Sequence, residues 1–295
     1  MNRGLPPPSL LSPTISACIK RGLNSTPQHS LGLIPTFVKG IGFEFVNQLS
    51  ANPSNIVFAF TRNPSAATKL HDLRAQRKNI HIIKLDIRNL CELTDAVDYV
   101  GSVAGKLDYL INNASYIDPY RFFVSPAEYP IESLAKDLEI AFETNVIGVS
   151  QTINCFLPLL RAGNYKRVIC LSSGLGDEDF TKACGFASHT PYSISKYALN
   201  LTVLKYSLAL KEEGFIFLAI SPGVVDTFEG PPPPPEVMRA HLRMFNQFKT
   251  VYPHFEGPVP PRVAVGQMLD VFRQLKPEHS GNFCSQFGPT SRRWL

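Results

Sequence analysis

The feature that most constrains this chain is a regular alternation of short apolar runs with longer segments of helical periodicity. The apolar runs are continuous, which is typical of strands in a sheet that helices cover on both faces. They predict strands over residues 31–34, 55–61, 79–85, 107–111, 167–171 and 215–220. Helices are predicted over residues 40–49, from Pro64 onward, and over 90–104, 131–160, 191–213 and 236–248. This order indicates a single α/β domain with a doubly wound, mostly parallel sheet of seven strands.

Length and charge limit the classes of function. The 295 residues are 44% hydrophobic, which is enough apolar material for a sizeable core. Of the 29 Lys and Arg residues, four precede the first acidic residue, Glu44, so the rest of the chain carries 25 basic against 24 acidic residues. A nearly neutral body argues against a nucleic-acid surface. No apolar run approaches the roughly 20 residues that a membrane span needs.

The first 30 residues differ from the rest in composition. They are rich in Ser and Pro and contain basic but no acidic residues, so we expect a disordered or misassigned extension before a domain over 31–295. The alternative is a transit peptide that directs the chain to mitochondria. The six cysteines show no C-x-x-C pair and no zinc-like spacing, which predicts buried free thiols, no metal site and a reducing, cytoplasmic location.

Residues 227–260 interrupt the alternation of strands and helices. They contain the proline run 231–235 and the predicted helix 236–248. In a doubly wound sheet this segment follows the carboxyl end of a strand, where ligands bind. We interpret it as a substrate lid; the alternative is a surface loop with a helix packed by its own side chains.

Four segments carry the polar residues expected to support chemistry. They are residues 110–114 (LINNA), 171–173 (LSS), 192–196 (YSISK) and 221–227 (SPGVVDT). In order and spacing they resemble the motifs of the short-chain dehydrogenase/reductase family, in particular its fungal ketoreductase-like branch of secondary metabolism, over residues 31–290. The resemblance implies a Rossmann fold and an NADP(H)-dependent oxidoreductase that interconverts a carbonyl and an alcohol of a small molecule. It also implies that long helices pair the chain into homo-oligomers.

A tyrosine and a lysine on one predicted helix are the candidate proton-transfer residues. Tyr192 is the only tyrosine with a lysine, Lys196, four residues further on, and residues four apart share a helix face. A phenol has a pKa near 10, which an adjacent ammonium lowers. We therefore expect Tyr192 to donate a proton in reduction and accept one in oxidation. The alternative is an ordinary surface Tyr–Lys pair.

The resemblance assigns two further catalytic residues. Ser173, in the stretch Ser173-Gly174-Leu175-Gly176, is implied to hydrogen-bond the reacting oxygen; otherwise it is a serine that caps a turn. Asn145 is implied to complete a proton relay through water, unless it is an incidental polar residue of its helix. Ser173 and Tyr192 are further apart than is usual in the family, and the inserted residues 176–189 are expected to form a loop that rims the substrate site.

The glycine-rich turn that holds the cofactor pyrophosphate is only partly present. The family pattern T-G-x-x-x-G-x-G falls on residues 35–42, where Gly40, Ile41 and Gly42 match but Pro35 and Thr36 do not. An arginine, Arg62, follows the second predicted strand, where an acid would bind the ribose of NAD. We expect Arg62 and Lys39 to hold the 2′-phosphate of NADP instead; the alternative is that both are ordinary surface cations.

The resemblance also assigns the remaining cofactor contacts. It places Asp86 against the adenine, and Asn112 and Asn113 beside the adenosine ribose. Val225 and Thr227 are implied to hold the nicotinamide carboxamide, while Tyr192 and Lys196 also contact the nicotinamide ribose. Ser115 occupies the position of the last glycine of the family's N-N-A-G motif.

The altered glycine turn leaves two other hypotheses open. In the first, the chain is a catalytically impaired member of the family that binds a partner or metabolite. In the second, residues 1–39 misrepresent the natural start of the protein through faulty gene assembly. Saturable NADPH binding separates the enzyme from the impaired form.

Overall fold

The computed structural model describes residues 16–19, 30–33, 40–118, 121–228, 233–291 and 293–295. It confirms the alternation of strands and helices. The strands are β1 (Ser16–Ile19), β2 (Ser30–Leu33), β3 (Asn55–Thr61), β4 (Ile80–Lys84), β5 (Tyr109–Asn112), β6 (Arg167–Leu171), β7 (Ile216–Ser221) and β8 (Phe283–Ser285). The helices are α1 (Ile41–Ser50), α2 (Thr68–Gln76), α3 (Leu90–Ala104), α4 (Ile131–Phe142), α5 (Val149–Arg161), α6 (Glu178–Cys184), α7 (Thr190–Ala209), α8 (Pro235–Val251) and α9 (Pro261–Arg273).

The strands form two hydrogen-bonded ladders with the orders β2-β3-β4 and β1-β5-β6-β7-β8. All pairs are parallel except β1 with β5, which is antiparallel. The fold is therefore α/β and mostly parallel, as predicted, but the described residues contain eight strands rather than seven. Two strands, β1 and β8, have no counterpart among the predicted ranges. Strand β1 lies in the stretch assigned to an N-terminal extension, most of which is outside the described residues.

Helices cover both faces of the sheet, as the continuous apolar strands predict. Alternate residues of one strand point to opposite faces: Ile169 packs with helices α1 and α9, and Val168 packs with helices α3, α5 and α7. Phe272 on the first face and Phe156 on the second are almost fully buried. Burial of a side chain of this size contributes roughly 1.5–3 kcal/mol.

Two predictions about helices need correction, and one helix and one strand that follow α8 were missed. The insertion 176–189 is not a loop throughout, because α6 forms within it. The Asp177 side chain accepts a hydrogen bond from the Phe180 N–H at 2.7 Å and so caps that helix. The long helix predicted over 131–160 is interrupted by a π-turn, Glu143–Gly148. Helix α9 and strand β8 were not predicted.

Helices α6 and α8 pack against each other beside the main core. Phe180 of α6 contacts Phe248 of α8 with ring centroids 5.4 Å apart, and Phe255 lies 5.7 Å from Phe248. The inserted residues and the predicted lid thus share one aromatic cluster. Whether this segment acts as a lid stays a prediction.

The described cysteines are unpaired but not all buried. Cys170, Cys184 and Cys284 are buried, as expected, whereas Cys91 is exposed at the start of α3, where the prediction was wrong. Among the described helices, none combines the length and apolarity that a bilayer span demands.

Candidate active site

Helix α7 places the predicted tyrosine and lysine beneath the carboxyl end of β6. Lys196 is 1% exposed, and its Nζ donates a hydrogen bond to the Leu171 carbonyl at 2.7 Å. The same Nζ lies 5.6 Å from the centre of the Tyr192 ring. The i,i+4 spacing therefore brings the two groups together inside the protein rather than on its surface.

The stretch Ser173–Gly176 brings a hydroxyl to the same place because its last residue has no side chain. A Cβ on Gly176 would lie 2.8 Å from the Cβ of Lys196 and 2.9 Å from the backbone of Tyr197, so only glycine lets the turn approach α7 this closely. The Ser173 hydroxyl accepts a hydrogen bond from the Leu175 N–H at 3.2 Å and lies close enough to the Tyr192 phenol to lower the pKa of that group. Ser173 therefore caps the turn, as the alternative interpretation expects, and also lies beside Tyr192.

The pKa of Tyr192 is raised rather than lowered. Burial is the largest influence and disfavours the phenolate, while the hydroxyls of Ser173 and Ser115 pull the pKa back down. The expected lowering by Lys196 is absent because the pKa of that amine is itself about 7, so it is neutral at the pH where the phenol titrates. At neutral pH the phenol is protonated, which is the form that a proton donor needs in carbonyl reduction.

Burial also shifts the pKa of Lys196, but it lowers this pKa rather than raising it. Loss of solvation lowers its pKa to about 7, against an ordinary value of 10.5. Cys170 raises the Lys196 pKa only in part against burial, and burial raises the pKa of that thiol to about 12, so it is neutral at physiological pH. Small changes around the site therefore switch Lys196 between its neutral and charged forms near physiological pH.

Asn145 lies in the π-turn and joins two parts of the site. Its side chain is fully buried; its amide oxygen accepts a hydrogen bond from the Tyr116 N–H at 2.6 Å, and its amide nitrogen donates to the Tyr116 carbonyl at 2.9 Å. The same nitrogen donates to the Ser195 hydroxyl at 2.9 Å. In this structure Asn145 clamps the loop after β5 to α7, and its role in a proton relay stays a prediction.

A narrow cleft opens from Tyr192 toward the loop after β5. It holds about 10 Å³, room for about one water molecule. His189 contacts the cleft from the turn before α7, where its backbone has a φ of 64°, a conformation uncommon for a residue with a side chain. The cleft is lined by Tyr116, Ile117, Asp118, Arg121, Phe122, Tyr129, Ala141, His189, Pro191 and Tyr192.

His189 is enclosed by aromatic rings. Its ring centroid lies 3.4 Å from that of Phe122 and 4.9 Å from that of Phe186. Burial, together with the nearby His241, lowers the His189 pKa to about 3, so the ring is neutral. Its Nε2 is buried and has no hydrogen-bond partner among the described residues. The wall of the cleft is thus aromatic with one unsatisfied polar atom.

The predicted pyrophosphate end of the site is described only from Gly40 onward, and Lys39 lies outside the described residues. Gly40 adopts a φ of 88°, which favours glycine, and a Cβ there would touch the Thr227 methyl at 3.4 Å. Two predicted cofactor residues are therefore neighbours. Ile41 and Gly42 begin α1, and no described side chain caps this helix, so its first N–H groups fit a phosphate.

Arg62 and Asp86 lie together at the ends of β3 and β4, with an arginine that the sequence analysis missed. Arg88 binds Asp86 through two hydrogen bonds, Nε to Oδ1 at 3.0 Å and Nη2 to Oδ2 at 2.7 Å. Burial tends to raise the Asp86 pKa, but the bonds from Arg88 and the charge of Arg62 outweigh it and lower that pKa. The Arg88 guanidinium also lies 3.6 Å from a carboxylate oxygen of Glu143, so the two guanidinium groups face two carboxylates.

The remaining cofactor candidates stand at the ends of the central strands. Asn112 ends β5 and is buried, and its amide nitrogen lies 3.6 Å from the Cys170 sulfur; Asn113 follows it directly. Val225 forms an isolated parallel bridge with Val259, which fixes the segment after β7. These positions match the edge where parallel sheets bind nucleotides, and the chain's residues fit a dinucleotide.

Comparison with known proteins identifies relatives over most of the chain. The family model of the short chain dehydrogenases matches residues 33–230. Short-chain dehydrogenase/reductase atnB of Arthrinium sp is 41% identical over 217 residues, which are 72% of this chain and 81% of that protein. Short-chain dehydrogenase/reductase AacuF of Aspergillus aculeatus is 35% identical over 260 residues, 87% of this chain and 96% of that protein.

Solved structures share the fold. An NADPH-bound carbonyl reductase from chicken fatty liver superimposes with a TM-score of 0.68 at 22% identity and covers 89% of this chain and 97% of its own. The carbonyl reductase Sniffer of D. melanogaster has the same TM-score, identity and coverage. At this identity the likeness concerns the arrangement of helices and strands.

Proposed function

Because the chain belongs to the short-chain dehydrogenase/reductase family, we propose that it is an NADP(H)-dependent reductase of an apolar or aromatic carbonyl compound. One observation carries the proposal: the Tyr192 phenol lies close to the Ser173 hydroxyl, which lowers its pKa, and its ring centre is 5.6 Å from the Lys196 Nζ. Family membership supports an oxidoreductase that interconverts a carbonyl and an alcohol. The aromatic side chains that line the cleft beside Tyr192, such as Phe122, support the substrate class, which requires the cleft to widen beyond its present volume.

Each residue of the pocket has a role in this reaction. When bound, NADPH supplies a hydride to the carbonyl carbon. The Ser173 hydroxyl donates a hydrogen bond to the carbonyl oxygen, where negative charge develops. The Tyr192 phenol, which burial keeps protonated, transfers its proton to that oxygen. Lys196 in its charged form stabilises the phenolate that remains.

Cofactor binding and turnover test the proposal directly. NADPH fluorescence should titrate to saturation at sub-millimolar concentration, and NADPH should be consumed when an aromatic ketone such as 1-tetralone is added. Cyclohexanone is the matched ketone without an aromatic ring, and we expect it to react more slowly. An absence of saturable binding would favour the catalytically impaired form instead.

The choice of NADP over NAD rests on the two guanidinium groups, Arg62 and Arg88, that lie together at Asp86. The 2′-phosphate of NADP carries charge that guanidinium groups bind through forked hydrogen bonds. The ribose hydroxyls of NAD offer no such charge. We propose that Arg62 and Arg88 contact this phosphate, with Lys39 as a further predicted contact.

Arg62→Ala should weaken NADPH binding by about 10- to 100-fold, the equivalent of one or two hydrogen bonds to a charged group. NADH binding should change by less than about 3-fold, since NADH lacks the phosphate. Titration of both cofactors against Arg62→Ala and the exposed control Arg74→Ala measures this difference. Equal losses for the two cofactors would refute the phosphate contact.

Helix α7 carries an exposed apolar stripe that favours a homo-oligomer. Its members recur every three or four residues along one face, are 40–63% exposed, and are Ile194, Tyr197, Leu201, Leu204 and Leu208. Stripes of this kind mark interaction surfaces in soluble proteins. We propose that two copies of the chain pair through this face.

Leu201→Glu should therefore convert a dimer into a monomer, because a buried unpaired carboxylate at the interface is costly. Light scattering after size-exclusion chromatography gives the mass. The control Thr94→Glu places the same charge on exposed α3 and should leave a dimer. A wild-type chain that is monomeric at all concentrations would exclude the interface.

A further inference from the structure

A second hydroxyl, that of Ser115, belongs to the residue before Tyr116, which lines the cleft together with Tyr192, and has no assigned role. Its Oγ is buried and has no well-aligned hydrogen bond among the described residues. It nevertheless lies close enough to the Tyr192 phenol to lower the pKa of that group, as Ser173 does. A buried hydroxyl without a partner costs free energy, so such an atom in a catalytic pocket indicates a missing ligand atom.

The fold holds Ser115 in place from both sides. Asn145 binds the N–H and the carbonyl of the next residue, Tyr116, at 2.6 and 2.9 Å. It also binds the Ser195 hydroxyl, which in turn donates to the Tyr192 carbonyl at 2.7 Å. The loop that carries Ser115 and the helical turn that carries Tyr192 are therefore connected through one buried amide.

The two serine hydroxyls differ in what they already bind. Ser173 accepts the Leu175 N–H, so its own hydrogen is available for another oxygen. The Ser115 hydroxyl has neither a donor nor an acceptor of good geometry among the described residues. A glycine, the residue expected here from the N-N-A-G motif, would offer no hydrogen at all.

We propose that Ser115 is a second hydrogen-bond donor to the reacting oxygen and acts together with Ser173. This inference rests on the proposed function. When hydride reaches the carbonyl carbon, the π-electron pair of the C=O bond moves to oxygen. Ser115 and Ser173 hold that oxygen by hydrogen bonds and keep their protons, and Tyr192 gives up the proton that completes the alcohol.

Substitutions that remove the hydroxyl test this role. Ser115→Ala and Ser115→Gly should each lower kcat by about 10-fold, less than the 10²–10³ lost with a principal oxyanion donor, because Ser173 remains. NADPH affinity and KM should stay within about 2-fold. Ser115→Thr keeps a hydroxyl and should recover most of the rate. Ser102→Ala, an exposed serine of α3, is the control without effect.

The pH profile supplies a readout that a merely structural role would not change. In alcohol oxidation the phenolate is the reactive form, and loss of a hydroxyl that stabilises it raises the Tyr192 pKa. The acid limb of kcat for Ser115→Ala should therefore move to higher pH. An unchanged rate or an unmoved limb in an active protein would overturn the proposal, as would a Thr variant no better than Ala.

A second measurement does not depend on turnover. The ultraviolet absorbance of tyrosinate is followed as pH rises. Subtraction of the Tyr192→Phe titration from that of the wild type isolates Tyr192, and subtraction of the double variant from Ser115→Ala isolates Tyr192 without Ser115. The Tyr192 transition should move to higher pH without Ser115, and an unmoved transition would contradict the inference. If the wild type reduces no ketone, the proposed function fails, and this titration still decides whether Ser115 bonds the phenol.

Discussion

Tyr192→Phe should lower kcat for carbonyl reduction by about 10³-fold, within the range that a positioned proton donor contributes. NADPH affinity should change by less than about 2-fold, because the substitution keeps the ring beside Lys196 and removes only the phenol oxygen. The variant should also fold normally, because it loses only the phenol hydroxyl and keeps the packed ring. Steady-state NADPH oxidation and fluorescence titration measure the two effects.

Tyr197→Phe is the matched control on the same helix. Tyr197 is 53% exposed and points away from the pocket, so the same loss of a phenol oxygen should leave turnover unchanged. Full activity in Tyr192→Phe would remove Tyr192 from the mechanism. A comparable loss in both variants would show that the helix, not the phenol, is disturbed.

Lys196→Met should lower turnover by about 10²-fold or more and yet stabilise the fold at low pH. The variant removes the ammonium that stabilises the phenolate, together with the proposed contact to the nicotinamide ribose. It also removes a buried amine whose pKa is about 7 when folded and 10.5 ordinarily. Below pH 7 the folded wild type must keep a charge in an apolar interior, and methionine relieves that cost.

The sign of the pH dependence follows from proton counting. Between pH 7 and 10.5 the unfolded wild type binds a proton that the folded protein releases, so wild-type stability rises with pH across this window. The advantage of Lys196→Met should therefore be largest at pH 6 and shrink toward pH 10. Thermal unfolding over this range measures it, with exposed Lys211→Met as the control. An advantage that grows with pH would contradict the burial argument.

The sequence predicted those parts of the fold and site that depend on local spacing. Tyr192 and Lys196 meet because four residues make about one helical turn. Ser173 meets them because it follows a buried strand and Gly176 permits close packing. The strands of the sheet that helices cover on both faces were also predictable from the sequence, since β3 and β6 have the predicted bounds.

Features that depend on long-range packing were missed. Ser115 and His189 come close to Tyr192 only after the loop beyond β5 and the turn before α7 have folded together. Arg88 was overlooked because its role depends on the ion pair that it forms with Asp86, two residues earlier. Helix α6 had a local signal, the acidic run at residues 177–179 that caps and begins a helix, but this run was interpreted as part of a loop that rims the substrate site.

Transfer of a labelled hydride tests the central claim most directly. The protein is mixed with an aromatic ketone and NADPH fully deuterated at the nicotinamide C4, and the alcohol is analysed by mass spectrometry and NMR. We predict one deuterium on the carbinol carbon, with formation strongly slowed in Tyr192→Phe. Alcohol without deuterium, or no oxidation of NADPH with any carbonyl compound tested, would contradict the account.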